Sequence, residues 1–175
     1  YLHFELMQGE RIFLHGKNGC GKSTLIKAIL QQAAQKNAIS GFQSSAAASR
    51  AALPFGDSRI EIRSGTLEAA SGLVISYINQ DTGFLKGSLA QFCEAQKLDK
   101  SLFFALLRQL DLEREQFSKN MEEFSEGQKK KVLIAASLQT PAHLYIWDEP
   151  LNFIDVFSRM QIEALILKYR PTMLL

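Results

Sequence analysis

Apolar residues recur along this chain in two registers, every second position in short runs and every third or fourth in longer ones. Leu2-His3-Phe4-Glu5-Leu6 and Arg11-Ile12-Phe13-Leu14-His15 alternate on either side of Gln8-Gly9-Glu10, which predicts two strands. Residues 60–63 and 73–78 return to strand patterning, with Ser64-Gly65 and Ser71-Gly72 as turns. The run 143–147 is a short apolar strand, and 172–175 begins another. From Lys22 onward Leu25, Ile26, Ile29, Leu30 and Ala33 fall at helical spacing. Further helices are predicted over 88–97, 100–112, 126–139 and about 155–169. In the second of these, Leu102, Phe103, Leu106, Leu107 and Leu110 form a stripe that reads as core packing. Ser125 and Gln128 have the spacing of a capping box at the start of the third, which stops before Pro141.

Residues 31–56 break this rhythm. Ala, Ser and Gln dominate there, with Gly41, Pro54 and Gly56 as breakers, so an irregular insertion is expected over about 31–58. No internal repeat is visible. Strands alternating with helices argue for an α/β fold with a mainly parallel sheet.

Composition narrows the class. With 46% hydrophobic and 22% charged residues in 175, the chain reads as one globular domain over 1–175. A net charge of +2 is too mild to announce a nucleic-acid binder. No apolar run approaches the roughly 18 residues that would span a bilayer, and no signal-peptide pattern opens the chain. Cys20 and Cys93 have neither a metal-ligand spacing nor a disulfide framework around them. A cytoplasmic location without membrane insertion is expected.

Chemistry concentrates at two places. Gly16-Lys17-Asn18-Gly19-Cys20-Gly21-Lys22-Ser23, followed by Thr24, matches a phosphate-binding loop between a strand and a helix. Glycines let the backbone aim its N–H groups inward as an anion nest at a helix N-terminus. Lys22 offers a point charge to the outer phosphates of a nucleotide, and the Ser23 hydroxyl is a hard oxygen donor for Mg²⁺. The second place is Leu144-Tyr145-Ile146-Trp147-Asp148-Glu149, an apolar strand ending in two acids. Asp148 at the carboxyl edge of a parallel sheet can reach Mg²⁺ through water, and Glu149 can act as general base toward an attacking water. An acid pair at a strand end is a weak signal by itself, and the loop at 16–23 is what strengthens it.

Four motifs, in the order in which they fall along the chain, resemble those of the ABC ATPase superfamily across almost the whole chain. Residues 16–24 resemble its Walker A loop and 144–149 its Walker B strand. Gln80, in Tyr77-Ile78-Asn79-Gln80-Asp81, resembles the Q-loop glutamine, which implies contact with Mg²⁺ and the attacking water. Phe124-Ser125-Glu126-Gly127-Gln128 resembles the signature. The resemblance implies a P-loop fold with a parallel core, a small β part and a helical subdomain over about 85–138. It also implies a head-to-tail pair of domains with ATP between Walker A of one and Ser125, Glu126, Gly127 and Gln128 of the other. The helix N-terminus opening at Ser125 suits that role, since it offers N–H groups and a positive dipole. Glu126 stands where the family usually has glycine, close to the place of the partner's phosphate, and slow or asymmetric hydrolysis is expected from it.

Asn152, in Glu149-Pro150-Leu151-Asn152-Phe153-Ile154-Asp155, sides with the ABC-F branch, whose members carry two ATPase domains in one chain and act on the ribosome. Ser125–Val132 and Tyr145–Asn152 resemble the second ATPase domain of the Lsa-type antibiotic-resistance group. The ATPase subunit of a membrane transporter is the alternative. A chromosome-maintenance ATPase would need heptad arms, and residues 25–124 show none. Lys129-Lys130-Lys131 reads as the solvated face of the signature helix, with ribosomal RNA contact as the second reading. His15 and His143 read as packing residues. The family's switch histidine is expected past Leu175 and its adenine-stacking aromatic upstream of Tyr1, so the chain reads as a fragment with weak ATP binding and little hydrolysis alone.

Overall fold

Five parallel strands carry the domain in the order β1-β5-β4-β3-β2. They are β1 (Arg11–Ile12), β2 (Ser40–Gln43), β3 (Ile75–Ile78), β4 (Leu144–Trp147) and β5 (Met173–Leu174). The computed structural model describes residues 3–17, 19–35, 40–43 (backbone alone) and 60–175. The helices are α1 (Lys22–Gln35), α2 (Leu89–Ala95), α3 (Lys100–Gln109), α4 (Glu126–Gln139) and α5 (Val156–Tyr169), with short 3₁₀ turns at 114–118 and 121–123.

The strand alternation explains the layers. On β3 and β4, Ile75, Tyr77, Leu144 and Ile146 join Ile26, Leu30 and Ala33 of α1 in one buried cluster. Ile78 and Trp147 face the other way and pack with α2–α5. Burial on both faces is why these strands read as continuous apolar runs. Ile75 pairs with Leu144 and Ile78 with Trp147, so β3 and β4 end level, with Gln80 and Asp148-Glu149 just beyond. A buried polar knot ties this level to α4: the hydroxyls of Ser76 and Ser137 lie 2.6 Å apart, and Trp147 Nε1 donates to Ser137 Oγ at 2.9 Å.

Four helices and the β3–β4 core fall where the sequence places them, within a residue or three at each end. The capping box at α4 is present, with Gln128 N–H donating to Ser125 Oγ at 3.2 Å and Ser125 N–H to Gln128 Oε1 at 2.9 Å. Three of the strand and loop expectations are corrected. Residues 31–35 complete α1 and Ser40–Gln43 form β2, because pairing with Ile75 and Tyr77 supplies a ladder that local composition does not announce. The rest of the expected insertion lies outside the described residues. Residues 60–63 form no strand, since the Gln31 amide takes both backbone groups of Ile60, accepting from its N–H at 2.9 Å and donating to its carbonyl at 3.2 Å. Residues 3–6 are likewise outside any ladder, so no second small sheet is formed among the described residues.

Lysines 130 and 131 overturn the reading of a solvated basic face. Lys130 is 3% exposed and donates to the Asn79 carbonyl at 3.1 Å. Lys131, also buried, donates to the Asp111 carbonyl and pairs with Asp155, each at 3.0 Å. A helix apolar on every side through Val132–Ala136 is a buried helix, and its two lysines are held by carbonyls and a carboxylate rather than by water. That burial also removes them as ribosomal RNA contacts. His143 is exposed and accepts from the Val74 N–H through Nδ1 at 2.9 Å, so it anchors a loop and is not a packing residue.

Candidate functional site

The loop between β1 and α1 is built on two left-handed glycines, Gly19 at φ +79° and Gly21 at φ +100°, where a side chain would be strained whatever the space. Those turns bring the chain onto the N-terminus of α1. Lys22 folds back over the loop, its ammonium donating to the carbonyls of Gly16 at 2.9 Å and Lys17 at 3.4 Å. Across the cleft Glu149 Oε1 lies 3.8 Å from the same ammonium. Asn152 Nδ2 donates to Glu149 Oε2 at 2.9 Å, so the carboxylate is held from both sides. Glu149 itself stands at φ +52°, a region that non-glycine residues avoid.

One cleft of about 360 Å³ is lined by Gly19, Gly21, Lys22, Ser23, Thr24, Gln80 and Glu149. Residues more than 120 positions apart thus meet at the carboxyl edge of the sheet, the usual place for ligands in open α/β sheets. Asp148 sits behind them, 5% exposed. Burial, with this carboxylate nearby, pushes the Tyr77 phenol well above its ordinary range. Gly16 and Cys20 belong to the same loop, where a side chain added at Gly16 would meet the Cys20 sulfur. Asn18 lies outside the described residues.

The donor set fits Mg²⁺. Ser23, Gln80 and Asp148 offer hard oxygens, and no group of three or more His, Cys, Asp or Glu that could hold a metal occurs among the described residues. A cation here would complete its shell with nucleotide phosphates and water, as Mg²⁺ commonly does.

Ser125, Glu126, Gly127 and Gln128 open α4 away from the cleft's lining. Gly127 packs against the Phe153 carbonyl so closely that a Cβ there would overlap it. Glu126 does not stand free at the helix end. Its Oε2 accepts from Thr82 Oγ1 at 2.6 Å and its Oε1 pairs with Lys129 at 3.2 Å. The Thr82 hydrogen bond, more than Lys129, holds this carboxyl below its usual range. Sequence reasoning missed Asn152 and Thr82 as contacts of the site. Asn152 was visible only as a branch marker, and nothing local marks Thr82.

A glycine-turned anion nest at a helix head, facing two strand ends that present an amide and an acid pair, defines a P-loop nucleotide-binding domain. The model of the ABC transporter family matches residues 1–152, and the chain belongs to that family as an ABC-type ATP-binding domain. It is 25% identical to the ATP-binding protein Uup of Buchnera aphidicola, over 97% of this chain and 25% of that protein. To the taurine import ATP-binding protein TauB of Shigella dysenteriae it is 28% identical, over 95% of this chain and 60% of that one. To the ribosome protection protein VmlR of Bacillus subtilis it is 25% identical, over 98% and 27%. The chain therefore spans between a quarter and three fifths of these relatives. Among solved structures, an ATP-binding subunit of an ABC transporter superposes with a TM-score of 0.65 at 23% identity, covering 98% of this chain and 69% of that one. An archaeal ribosome recycling factor gives 0.63 at 23%, covering 97% and 29%. Both share the fold. No described helix is long and apolar enough to cross a membrane.

Proposed function

We propose that this domain binds and hydrolyses ATP, with Glu149 as general base, and forms half of a tandem ABC-F protein that works on the ribosome. The meeting of Lys22, Ser23, Gln80 and Glu149 on one cleft carries the hydrolytic part of the reading. In it, the backbone N–H groups of 16–24 cradle the phosphates, and Lys22 leaves its own loop carbonyls for the outer phosphate oxygens. Gln80 orients the attacking water and Glu149 accepts its proton, steadied by Asn152. Ser23, Gln80 and Asp148 would hold Mg²⁺, which when bound neutralises charge on the phosphates. Ser125, Gly127 and Gln128 serve the site of a second ABC domain in a head-to-tail pair, while the Glu126 carboxylate is turned to Thr82 of its own chain. The domain is taken as 1–175, with its helical subdomain over about 85–138.

Two features support the ribosomal branch, namely Asn152 after the acid pair and the likeness to VmlR over nearly all of this chain. The likeness to TauB supports the other reading, an ATPase subunit of a transporter. Antibiotic resistance is one purpose that the first reading allows, and a cytoplasmic location goes with it.

The test uses the complete protein carrying Glu149→Gln and the matching change in its other domain. Turnover should fall by about 100-fold or more, the scale of losing a general base. Retention on ribosomes only with ATP supports the ABC-F reading. Recovery with an integral membrane protein instead makes it a transporter subunit and leaves the ATP site standing.

A further inference from the structure

Gln80 follows β3 on a loop whose two ends are both fastened to α4. On one side the buried Lys130 ammonium holds the Asn79 carbonyl at 3.1 Å. On the other, Thr82, 3% exposed, donates its hydroxyl to Glu126 at 2.6 Å. Glu126 and Lys130 are four residues apart and so lie on one face of the helix. Within the loop, Gly83 N–H donates to Asp81 Oδ1 at 2.8 Å and Leu85 N–H to the Thr82 carbonyl at 3.1 Å, which fixes the chain beyond the second fastening. Only Gln80 and Asp81 stand between the two, and Gln80 alone of them lines the cleft.

We infer that Glu126 and Lys130 are positioning residues for Gln80, a clamp that makes the glutamine loop and the N-terminus of α4 move as one body. The carboxylate at the usual glycine position thereby acts within its own chain, on Thr82, in place of repelling a phosphate on the partner. Three features favour a clamp over an incidental surface contact. Thr82 and Lys130 are both buried residues, so each hydrogen bond is shielded in part from water and its loss costs more than that of an exposed contact. The same helix end also touches the segment after the acid pair, through Gly127 against Phe153 and Lys131 with Asp155. Finally, the thermodynamic preference for the ionised Glu126 comes first from Thr82.

This rests on the ATPase reading of the cleft, and its test is steady-state kinetics of the complete protein. Glu126→Ala and Thr82→Val should each lower kcat about tenfold, since small misplacement of an orienting group is that expensive, with KM for ATP within about twofold of wild type. Glu126→Gln keeps an oxygen acceptor for Thr82 and Thr82→Ser keeps the donor, so both should restore kcat to within about twofold. The double variant Glu126→Ala/Thr82→Val should be no slower than either single one, as expected for two ends of one contact. Thr82→Val at wild-type kcat overturns the clamp. So do single effects that multiply in the double variant, or Glu126→Gln falling as far as Glu126→Ala. Lowered thermal midpoints with kcat and KM per folded molecule unchanged also overturn it, leaving a merely structural contact. A wild type with no turnover at all removes the ATPase reading and the clamp together, an outcome distinct from an active wild type with indifferent variants.

Discussion

Glu149 occupies a backbone conformation that costs a residue with a side chain about 1–3 kcal/mol, and it does so at the centre of the cleft. The Asn152 amide and the Lys22 ammonium on its carboxylate help to hold it there. The strain has a measurable signature. Glu149→Gly and Glu149→Ala both lose the carboxylate, so their difference isolates the backbone. The glycine variant should be more stable than the alanine variant by about 1 kcal/mol, the reverse of their usual order, and both should be inactive. Urea denaturation measures this, and equal midpoints would mean the turn is unstrained. Gly19 and Gly21 show the complementary choice, with glycine placed where the loop must turn through positive φ.

At the scale of elements, α4 organises the site. Its first turn lies against Phe153, its lysines reach the loops at 79 and 111, and its Ser137 holds Trp147 of β4. Gly127→Ala sets two effects against each other, a helix-propensity gain of up to about 1 kcal/mol and a backbone overlap of the kind that costs about 1–3 kcal/mol. The obstacle is a main-chain carbonyl that cannot swing aside, so the overlap should win and the urea midpoint should fall. A midpoint at or above wild type would mean that α4 and the Phe153 turn separate easily. Sequence made much of this legible. The loop at 16–23, the apolar strand before Asp148 and the capping box at Ser125 are local patterns with local causes. What it did not disclose depends on distant partners. β2 exists because β3 offers it a ladder, Lys130 and Lys131 are buried because carbonyls at 79 and 111 and the Asp155 carboxylate await them, and Thr82 matters only through Glu126. The apolar stretch Val132–Ala136 was the one sign that three lysines introduced a buried helix rather than a solvated one.

For the molecule as a whole, Asp155 joins its parts. It caps α5 by accepting the Ser158 N–H at 2.8 Å and pairs with Lys131 of α4. The Ser158 N–H first, with Lys131 adding to it, holds the Asp155 carboxyl well below the usual carboxylate range. A folded-state pKa below the unfolded one means that this contribution is complete above the unfolded value of about 4 and is lost as pH falls through the folded value. Asp155→Asn keeps an oxygen to cap the helix, but it removes the charge and turns the oxygen that faces Lys131 into an N–H₂ donor. It should therefore be less stable than wild type at about pH 6 and show a flatter acid limb, the two curves converging at low pH. Parallel curves would assign the effect to packing. Elsewhere, Phe153, Val156, Phe157 and Met160 stand exposed. Trp147 is the chain's single tryptophan, fully buried, next to Asp148 and hydrogen-bonded to α4. Its fluorescence is therefore an unlabelled optical gauge seated one residue from the acid pair. Nucleotide arriving in the cleft, or α4 shifting against the sheet, should be visible as a change in emission colour or intensity, in real time and without a dye.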